Sequence, residues 1–363
     1  MSFMKLITHI PSPTSISYMW NFGSLLGLSM AIQVISGLFL SFHYESSLDL
    51  SFQSVISICL DKNMGWFIRS VHSNGASMIF AFMYIHMARG LYYGSFVLKH
   101  TWSVGITIYL LTMAAAFLGY VLPWGQMSYW GATVITNLVS TIPFIGQDIL
   151  IWLWGGFSVS KPTLIRFFSF HFILPFIILV MIMLHILFLH STGSSNPLGV
   201  SPNSDKTSFH PYFYSKDILG IVVVAVLFLF VCISFPDFFM DSDNSIQANP
   251  LNTPPHIQPE WYFLFAYAIL RSIPSKLGGV VGLLSSILVM YIFTILKINN
   301  PYTRFTLIHK SMMWLFFMNF ILLTWLGMMP VEYPFSFLSK ISSLIYFILI
   351  FLLMFSMCYK QKK

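Results

Sequence analysis

The chain has 363 residues, of which 57% are hydrophobic and only 8% are charged, whereas an average soluble domain has about 25% charged residues. Its formal net charge is +7, but the basic residues are dispersed and do not form the patch with interleaved aromatic residues that is typical of nucleic-acid binding. This composition excludes a soluble globular domain and gives no support to a nucleic-acid partner. It predicts an integral membrane protein embedded in a lipid bilayer.

Eight segments are long and apolar enough to cross a bilayer, since a spanning helix needs about 20 predominantly apolar residues. The sequence therefore predicts an all-α integral membrane protein with eight transmembrane helices. The connections after the third and fifth predicted spans, 123–160 and 236–277, are long and carry short apolar segments, and such loops are usually functional. The predicted spans are 22–42, 66–88, 102–122, 163–190, 218–235, 278–296, 311–329 and 337–358.

Lys and Arg are distributed unequally between the two sides that these spans define. An even number of spans places both termini on one side, and that side carries eleven of the 18 Lys and Arg residues. The positive-inside rule then predicts that both termini face the cytoplasm or the mitochondrial matrix. We call this side inner and the opposite side outer. The first ten residues lack the apolar run and cleavage site of a secretory signal, so we expect the spans themselves to direct insertion. The eleven inner residues are Lys5, Arg89, Lys99, Lys206, Lys216, Lys297, Arg304, Lys310, Lys360, Lys362 and Lys363.

Two pairs of histidines share a fourteen-residue spacing, His72 with His86 in the second predicted span and His171 with His185 in the fourth. Fourteen residues are about four helical turns, so both histidines of a span lie on one helix face, about 21 Å apart. The two spans run in the same direction, which places His72 and His171 at an outer level and His86 and His185 at an inner level. Every histidine inside a predicted span lies in the first four spans. Two axial imidazoles per level are the ligands of a low-spin haem, so we expect an N-terminal four-helix bundle that holds two stacked haems.

Two other interpretations of these histidines are weaker. Zinc or copper usually takes three or four protein ligands, and each level offers two imidazoles with no carboxylate or thiolate nearby. The histidines could also be polar core residues that hydrogen-bond between helices, although ionisable groups are rare and costly inside a membrane.

Glycines and arginines accompany the histidines. Glycines recur at the same interval of fourteen in the first and third spans, where they would leave room for a flat macrocycle, although glycine also marks close helix packing. Three arginines at the ends of the histidine spans would either neutralise haem propionates or extend to the membrane interface. The residues are Gly23, Gly37, Gly105 and Gly119, with Arg69, Arg89 and Arg166.

Three further motifs occur besides the histidines. Together with the histidines, they make the chain resemble the cytochrome b family of respiratory ubiquinol–cytochrome c oxidoreductase, complex III, nearly from end to end. Photosynthetic relatives are split into two polypeptides and usually space the histidines of the fourth span fifteen apart, so this fused chain resembles the respiratory, mitochondrial-type branch. The motifs are LPWGQMSYWGATVITNL at 122–138, KTSFHPYFYSKDIL at 206–219, and the consecutive Pro259, Glu260, Trp261 and Tyr262.

The resemblance implies two domains, an N-terminal diheme domain at 1–215 and a C-terminal domain at 216–363 with a quinol-oxidation loop at 236–277. It implies two non-covalent b-type haems, an outer low-potential haem on His72 and His171 and an inner high-potential haem on His86 and His185. It also implies a homodimeric complex in the mitochondrial inner membrane, with a Rieske iron-sulfur protein, a cytochrome c1-type subunit and other complex III subunits. The three cysteines of this chain are scattered and cannot ligate the iron-sulfur cluster themselves.

The resemblance further implies two sites for ubiquinone or a similar quinone. A quinol that gives up two electrons also loses two protons, so an outer carboxylate such as Glu260 can accept one. Taken alone, a carboxylate in a loop is usually a solvated surface group. The inner residues are by themselves just as typical of interfacial anchors. Relatives commonly carry an acidic residue at Ser191 and an amide at Ser195, which makes the inner site of this chain unusual. The outer residues are Gly131, Pro259, Glu260, Trp261, Tyr262 and Tyr267, and the inner ones are Ser24, His190, Ser194, Lys216 and Asp217, with catalytic roles for Glu260, Tyr267, His190 and Asp217.

These features predict a subunit that oxidises quinol on the outer side and passes electrons through two haems to a quinone on the inner side, with proton translocation. A transporter or channel is the competing class, but such folds usually show repeat-related broken helices and charges at the midplane. A diheme membrane anchor of a dehydrogenase, or a ferric reductase, would share the paired histidines. Neither has the two long outer loops or the segment at 259–262.

Overall fold

A computed structural model describes residues 10–295 and 306–358, and nearly all of them outside the connections are α-helical. The described part contains twelve α-helices and one two-stranded antiparallel sheet. These are β1 (Pro11–Pro13), α1 (Phe22–Ser41), α2 (Ser51–Asp61), α3 (Gly65–Tyr92), α4 (Lys99–Val121), α5 (Gln126–Asn137), α6 (Gly146–Trp154), α7 (Lys161–Thr192), β2 (Lys206–Ser208), α8 (Tyr212–Ser234), α9 (Leu264–Ser272), α10 (Lys276–Leu288), α11 (Leu307–Met328) and α12 (Phe335–Cys358).

Seven helices of the described residues are long and apolar enough to cross a membrane. The all-helical membrane architecture is therefore confirmed. The second predicted span corresponds to α3, which has 28 residues but is not among the seven. Its apolar character is diluted because it carries polar and charged side chains such as Arg69, Asn74 and Arg89 beside its two histidines. The seven segments are Tyr18–Ser41, Lys99–Val121, Lys161–Thr192, Tyr212–Ser234, Lys276–Thr294, Leu307–Met328 and Phe335–Met357.

One expectation about the histidines is wrong. His309 lies in the first turn of α11, inside a candidate span, and is only 2% exposed. The helix begins four residues before the predicted span because Thr306 caps it, with its side chain accepting a hydrogen bond from the backbone N–H of His309. Histidines inside candidate spans are therefore not confined to the first four predicted spans. Nδ1 of His309 lies 3.4 Å from Oγ of Ser356.

The long connections contain the short helices that their apolar segments suggest. The connection 123–160 forms α5 and α6, and 236–277 forms α9. The helix α2, between α1 and α3, was not predicted, because its eleven residues are too few for a span. A capping box between Ser160 and Thr163 starts α7.

The N-terminal half is built from two pairs of long helices, since α1 packs along α3 and α4 packs along α7. The helix α8, the first of the predicted C-terminal domain, packs against α3 and α1. Oγ of Ser70 donates to the carbonyl of Cys232 over 2.9 Å, and Nδ2 of Asn74 donates to the carbonyl of Pro236 over 2.8 Å. The short α9 packs against α10, α11 and α12. A hydrogen bond from Nε1 of Trp102 to the carbonyl of Met290 joins the two halves.

The small sheet ties the N-terminal segment to the connection before α8. Pro11 pairs with Ser208 and Pro13 with Lys206, and the Thr14 hydroxyl donates to the carboxylate of Asp205.

The predicted membrane orientation rests on eleven Lys and Arg residues, and six of them lie outside the described part of the chain. These are Lys5, Lys297, Arg304, Lys360, Lys362 and Lys363.

Candidate functional site

The structure brings the four repeated histidines together in the two pairs that their spacing predicts. The ring centres of His72 and His171 are 6.2 Å apart, and those of His86 and His185 are 6.4 Å apart. Each pair joins α3 to α7. Both helices carry their histidines four turns apart, so each level receives one imidazole from each helix.

The geometry of the pairs fits a metal ion between the two rings. Metal–nitrogen bonds to imidazole are roughly 2.0–2.1 Å long, so nitrogens on opposite sides of one ion lie about 4 Å apart. The ring centres then stand a ring radius further out on each side, which agrees with both observed separations. The residues present therefore fit a bis-histidine haem at each level.

Each of the four repeated glycines faces one histidine ring. A Cβ placed on Gly37 would stand 2.8 Å from Cε1 of His72, and one on Gly119 would collide with Cε1 of His171. At the other level, a Cβ on Gly23 would stand 3.6 Å from Cε1 of His86, and one on Gly105 would stand 3.1 Å from Cε1 of His185. The glycines therefore make room for the imidazoles, and they do so more tightly at the level of His72 and His171.

Groups behind three of the four rings contact a histidine nitrogen. Oγ of Ser36 lies 2.9 Å from Nδ1 of His72, and Nδ1 of His171 lies 2.7 Å from the backbone carbonyl of Ala115. A carbonyl can only accept, so Nδ1 of His171 carries the proton and leaves Nε2 free to bind a metal. At the other level, Nη2 of Arg89 lies 3.3 Å from Nδ1 of His86. The guanidinium of Arg89 also sits over the ring of Trp20, 5.0 Å from its centre.

A cavity of about 260 Å³ lies beside the first histidine pair and is lined by both of these histidines. Arg69 lines it too, with Nη1 3.2 Å from Sδ of Met240. Glu260 and Tyr262, from the connection between α8 and α9, complete the lining. The structure thus places a loop carboxylate and a histidine pair around one space.

Burial raises the pKa of Glu260 to about 7 from its ordinary value of 4.5. A hydrogen bond from Tyr120 and the positive charge of Arg69 act in the opposite direction, whereas the negative charge of Asp241 adds to the increase. A carboxyl with this pKa exchanges its proton at neutral pH. Glu260 is therefore suited to accept a proton from a group in the cavity.

The residues that follow Glu260 are fixed against α3. Nε1 of Trp261 donates to Oγ of Ser77 over 3.1 Å, and the ring of Tyr262 stacks on Phe80 with centres 4.1 Å apart. The hydroxyl of Tyr84 donates to the backbone carbonyl of Tyr262.

Other predicted outer residues lie further from the cavity. The hydroxyl of Tyr267 donates to the carbonyl of Ile257 over 3.2 Å, and its ring lies under the guanidinium of Arg271. Gly131 lies in α5, where a Cβ would meet open space. Neither these two residues nor Pro259 is among the residues that line the cavity.

Arg166 is engaged away from the histidines. Its Nη1 donates to the backbone carbonyls of Trp152 and Leu153, and its guanidinium lies 5.7 Å from the centre of the Trp152 ring. These carbonyls belong to the last turn of α6, where a cation is favoured. A role for Arg166 towards a propionate stays a prediction.

Two of the predicted inner residues, Lys216 and Asp217, lie near the start of α8, and Ser24 of α1 contacts one of them. Oγ of Ser24 donates to Oδ1 of Asp217 over 2.9 Å, and Nζ of Lys216 donates to the carbonyl of Ile16 over 3.1 Å. His190 is exposed at the end of α7, and Ser194 follows in the next connection. Nearby, the hydroxyls of Ser95 and Ser195 lie 2.7 Å apart. The structure therefore joins Ser24 to Asp217.

Sequence reasoning missed the residues that support this site. Ser36, Ser77, Phe80 and Tyr84 are common residue types in apolar helices, and no spacing rule singles them out. Ser36 lies one position before Gly37, and Tyr84 lies two before His86. Proximity to the histidine motif was the one available signal.

Comparisons with known proteins match most of the chain. A family model described as cytochrome b/b6/petB matches residues 7–193, and one described as cytochrome b (C-terminal)/b6/petD matches residues 247–347. A chain of the solved structure titled "Hyperthermophilic respiratory Complex III" is 30% identical, with a TM-score of 0.91. The match covers 98% of this chain and 96% of the solved one. The chain therefore belongs to the cytochrome b family, in its respiratory complex III branch.

Proposed function

We propose that this chain is the membrane subunit of a ubiquinol–cytochrome c reductase that oxidises quinol at one site and reduces quinone at a second. The observation that carries the proposal is the placement of Glu260 in the cavity lined by His72 and His171. Glu260 can accept a proton, and the histidine pair can hold a haem that accepts an electron. Both border the same cavity. Quinol oxidation needs both at once, because each quinol releases two protons with its two electrons.

Residues of this chain handle the first proton. The carboxylate of Glu260, with a pKa near 7, takes a proton from the quinol hydroxyl. The negative charge of Asp241 favours the protonated form of Glu260. Haems bound at the two histidine pairs would carry one electron from this site towards the second site. The other electron goes to an external acceptor.

We place the second quinone site at the end of α8, where Ser24 and Asp217 are hydrogen-bonded. Quinone reduction consumes protons, so a carboxylate at a membrane edge can deliver them from the adjacent water. His190, Ser194 and Lys216 would complete this site, as the resemblance implies. The exposure of His190 supports a role in proton uptake.

We propose α3 as the eighth span. It has 28 residues, about 42 Å of helix, which exceeds the hydrocarbon thickness of a bilayer. It also packs along α1 and α8, which are both candidate spans. Some of its polar residues are paired within the protein, since Ser70 donates to Cys232 of α8 and Asn74 donates to Pro236 just after α8. Eight spans place both termini on one side of the membrane. We assign this side to the matrix side of the mitochondrial inner membrane.

The remaining assignments follow from membership of the complex III branch. We propose two b-type haems, the lower-potential one at His72 and His171 and the higher-potential one at His86 and His185. Partners would be a Rieske iron-sulfur protein, a cytochrome c1-type subunit and further subunits of a dimeric complex. The chain would divide into a diheme domain at 1–215 and a second domain at 216–363.

The first experiment is a redox titration of the isolated complex, together with the number of haems per polypeptide. We expect two b-type haems at separate potentials, with one lost in His72→Leu and the other lost in His86→Leu. The matched control is His309→Leu, because His309 is also buried in a span but contacts Ser356 instead of another histidine. It should keep both haems. A wild-type complex without haem, or unchanged haem content in both ligand variants, would refute the assignment.

A further inference from the structure

One face of α3 contacts the turn that follows Glu260. Ser77, Phe80 and Tyr84 are three and four residues apart, so they form a single stripe along the helix. Ser77 accepts the indole N–H of Trp261, Phe80 stacks on the ring of Tyr262, and Tyr84 donates to the carbonyl of Tyr262. The two residues after Glu260 are therefore held by two side-chain contacts and one backbone contact, all from one helix.

The stripe lies on a different face of α3 from the histidines. At 100° per residue, the stripe is centred roughly 130° around the helix from His72 and His86. A helix is a rigid element, so its two faces keep a constant relation to each other. The backbone next to Glu260 is thus positioned relative to His72 through α3, and the carboxylate also receives a hydrogen bond from Tyr120 of α4.

Tyr84 is the most constrained member of the stripe. Its hydroxyl accepts a 3.4 Å hydrogen bond from Tyr109 on α4 while it donates to Tyr262. Its ring meets Phe320 of α11 and Phe265 of α9 edge-on, with centres 5.1 Å and 6.2 Å apart. The tyrosine ring cannot turn away from the loop without displacing these neighbours.

We propose that Tyr84, with Ser77 and Phe80, is a positioning residue for quinol oxidation that aims the Glu260 carboxylate into the cavity beside His72 and His171. The inference rests on the proposed function of Glu260 and adds how its position is fixed. A catalytic carboxylate on an unrestrained loop samples many orientations, and small misplacements reduce the rate strongly. The hydroxyl of Tyr84 touches no reacting atom and acts only through the Tyr262 carbonyl.

The test compares Tyr84→Phe with Tyr346→Phe in the assembled complex. Tyr346 is a matched control because its buried hydroxyl also donates to a backbone carbonyl, that of Ser286. Its ring meets Phe265 of α9, so it packs beside the segment 258–264 without a hydrogen bond to it. The readouts are haem content, the pH profile of kcat/KM for quinol oxidation, and amide hydrogen exchange of residues 258–264. Losing one buried hydrogen bond corresponds to about a tenfold effect. We expect Tyr84→Phe to lower kcat/KM about tenfold, shift its pH profile and speed exchange in 258–264, with both haems retained.

Ser77→Ala should act in the same direction more weakly. Because Ser77 also lines the cavity, its amide exchange in 258–264, and not its rate, decides the question if Tyr84→Phe does not assemble. Wild-type exchange in 258–264 and a wild-type pH profile in the variants that assemble would overturn the proposal. The same result follows if Tyr346→Phe reproduces their changes. A parallel Glu260→Gln variant separates the two ideas. If Glu260→Gln oxidises quinol normally, the proposed function fails, whereas a slow Glu260→Gln with a normal Tyr84→Phe contradicts only the positioning role.

Discussion

Gly37 presses directly against the ring of His72, because a Cβ at Gly37 would stand 2.8 Å from Cε1 of the imidazole. A Cβ at Gly23 would stand 3.6 Å from Cε1 of His86, which is an ordinary van der Waals contact. The two glycines have the same place in the sequence pattern but different room in the structure. The difference makes the two histidine levels experimentally separable.

We predict that Gly37→Ala displaces His72 and reduces the haem bound at its level, because backbone and imidazole have no space for an added methyl group. Gly23→Ala is the matched control on the same helix and should retain both haems. The measurement is the reduced-minus-oxidised haem spectrum per polypeptide. Equal haem loss in the two variants would contradict the packing argument, since it would show that the glycines are not distinguished by their clearance.

The raised pKa of Glu260 predicts a stability that depends on pH. The folded protein holds this proton up to about pH 7, whereas an unfolded chain releases it near 4.5. The folded state therefore binds more protons in this interval, so the contribution of Glu260 to stability falls as pH rises from about 4.5 to 7. Glu260→Gln removes this loss. The variant should unfold at a higher temperature than wild type at pH 8 and at a similar temperature near pH 4, as measured by thermal unfolding of the detergent-solubilised complex.

The same titration predicts the pH dependence of quinol oxidation. Only the deprotonated carboxylate accepts a proton, so kcat/KM should rise through about pH 7 in the wild type. In Glu260→Gln this rise should be absent and the rate lower throughout. A wild-type rise retained in the variant would assign the titration to another group.

Ser24 and Asp217 predict a selective defect at the second quinone site. Ser24→Ala removes the 2.9 Å hydrogen bond to the carboxylate and should slow quinone reduction there about tenfold to a hundredfold, because a hydrogen bond to a charged group contributes about 1.5–3 kcal/mol. Ser29→Ala is the control, because Oγ of Ser29 on the same helix bonds only to the carbonyl of Leu25 of its own helix. The assay is haem reduction by quinol with the site at Glu260 inhibited. If Ser24→Ala and Ser29→Ala behave alike, the site at α8 is contradicted.

A buried asparagine in α11 and a buried serine in α12 predict different effects on stability. Nδ2 of Asn319 donates to the carbonyl of Ser342, and Oγ of Ser342 donates to Oδ1 of Asn319 over 2.6 Å. Asn319→Ala should cost about 1–3 kcal/mol in the free energy of unfolding because it leaves buried groups unpaired. The buried hydroxyl of Ser343 has no hydrogen-bond partner among the described residues, so Ser343→Ala should be neutral or stabilising. Thermal unfolding of both variants tests the pair.

The histidine pairing and the helical membrane architecture follow from the sequence because periodic spacing fixes which residues share a helix face. His72 and His171 meet for that reason. The start of α11 could not be located, because its first turn carries His309 and Lys310, which lower its hydropathy, and Thr306 caps it. The orientation of Arg166 was equally hidden, since only the folded connection shows that α6 ends beside it.

The contacts of Tyr84 and the carboxylate environment of Glu260 depend on tertiary packing between segments about 180 residues apart. No local pattern encodes such a contact. The motif at 259–262 indicated where the loop acts, but not which helix holds it. The structure adds that one helix carries two of the histidines and also supports the loop.

The pairing of Pro11 with Ser208 has a consequence for the order of synthesis. The two strands are nearly 200 residues apart in the chain, and a ribosome adds about 5–20 residues per second. Between roughly 10 and 40 seconds pass before the second strand exists. The N-terminal segment lacks its partners during that time, including Lys216, whose Nζ donates to the carbonyl of Ile16. This end of the protein is therefore among the last parts of the first 220 residues to reach its final form.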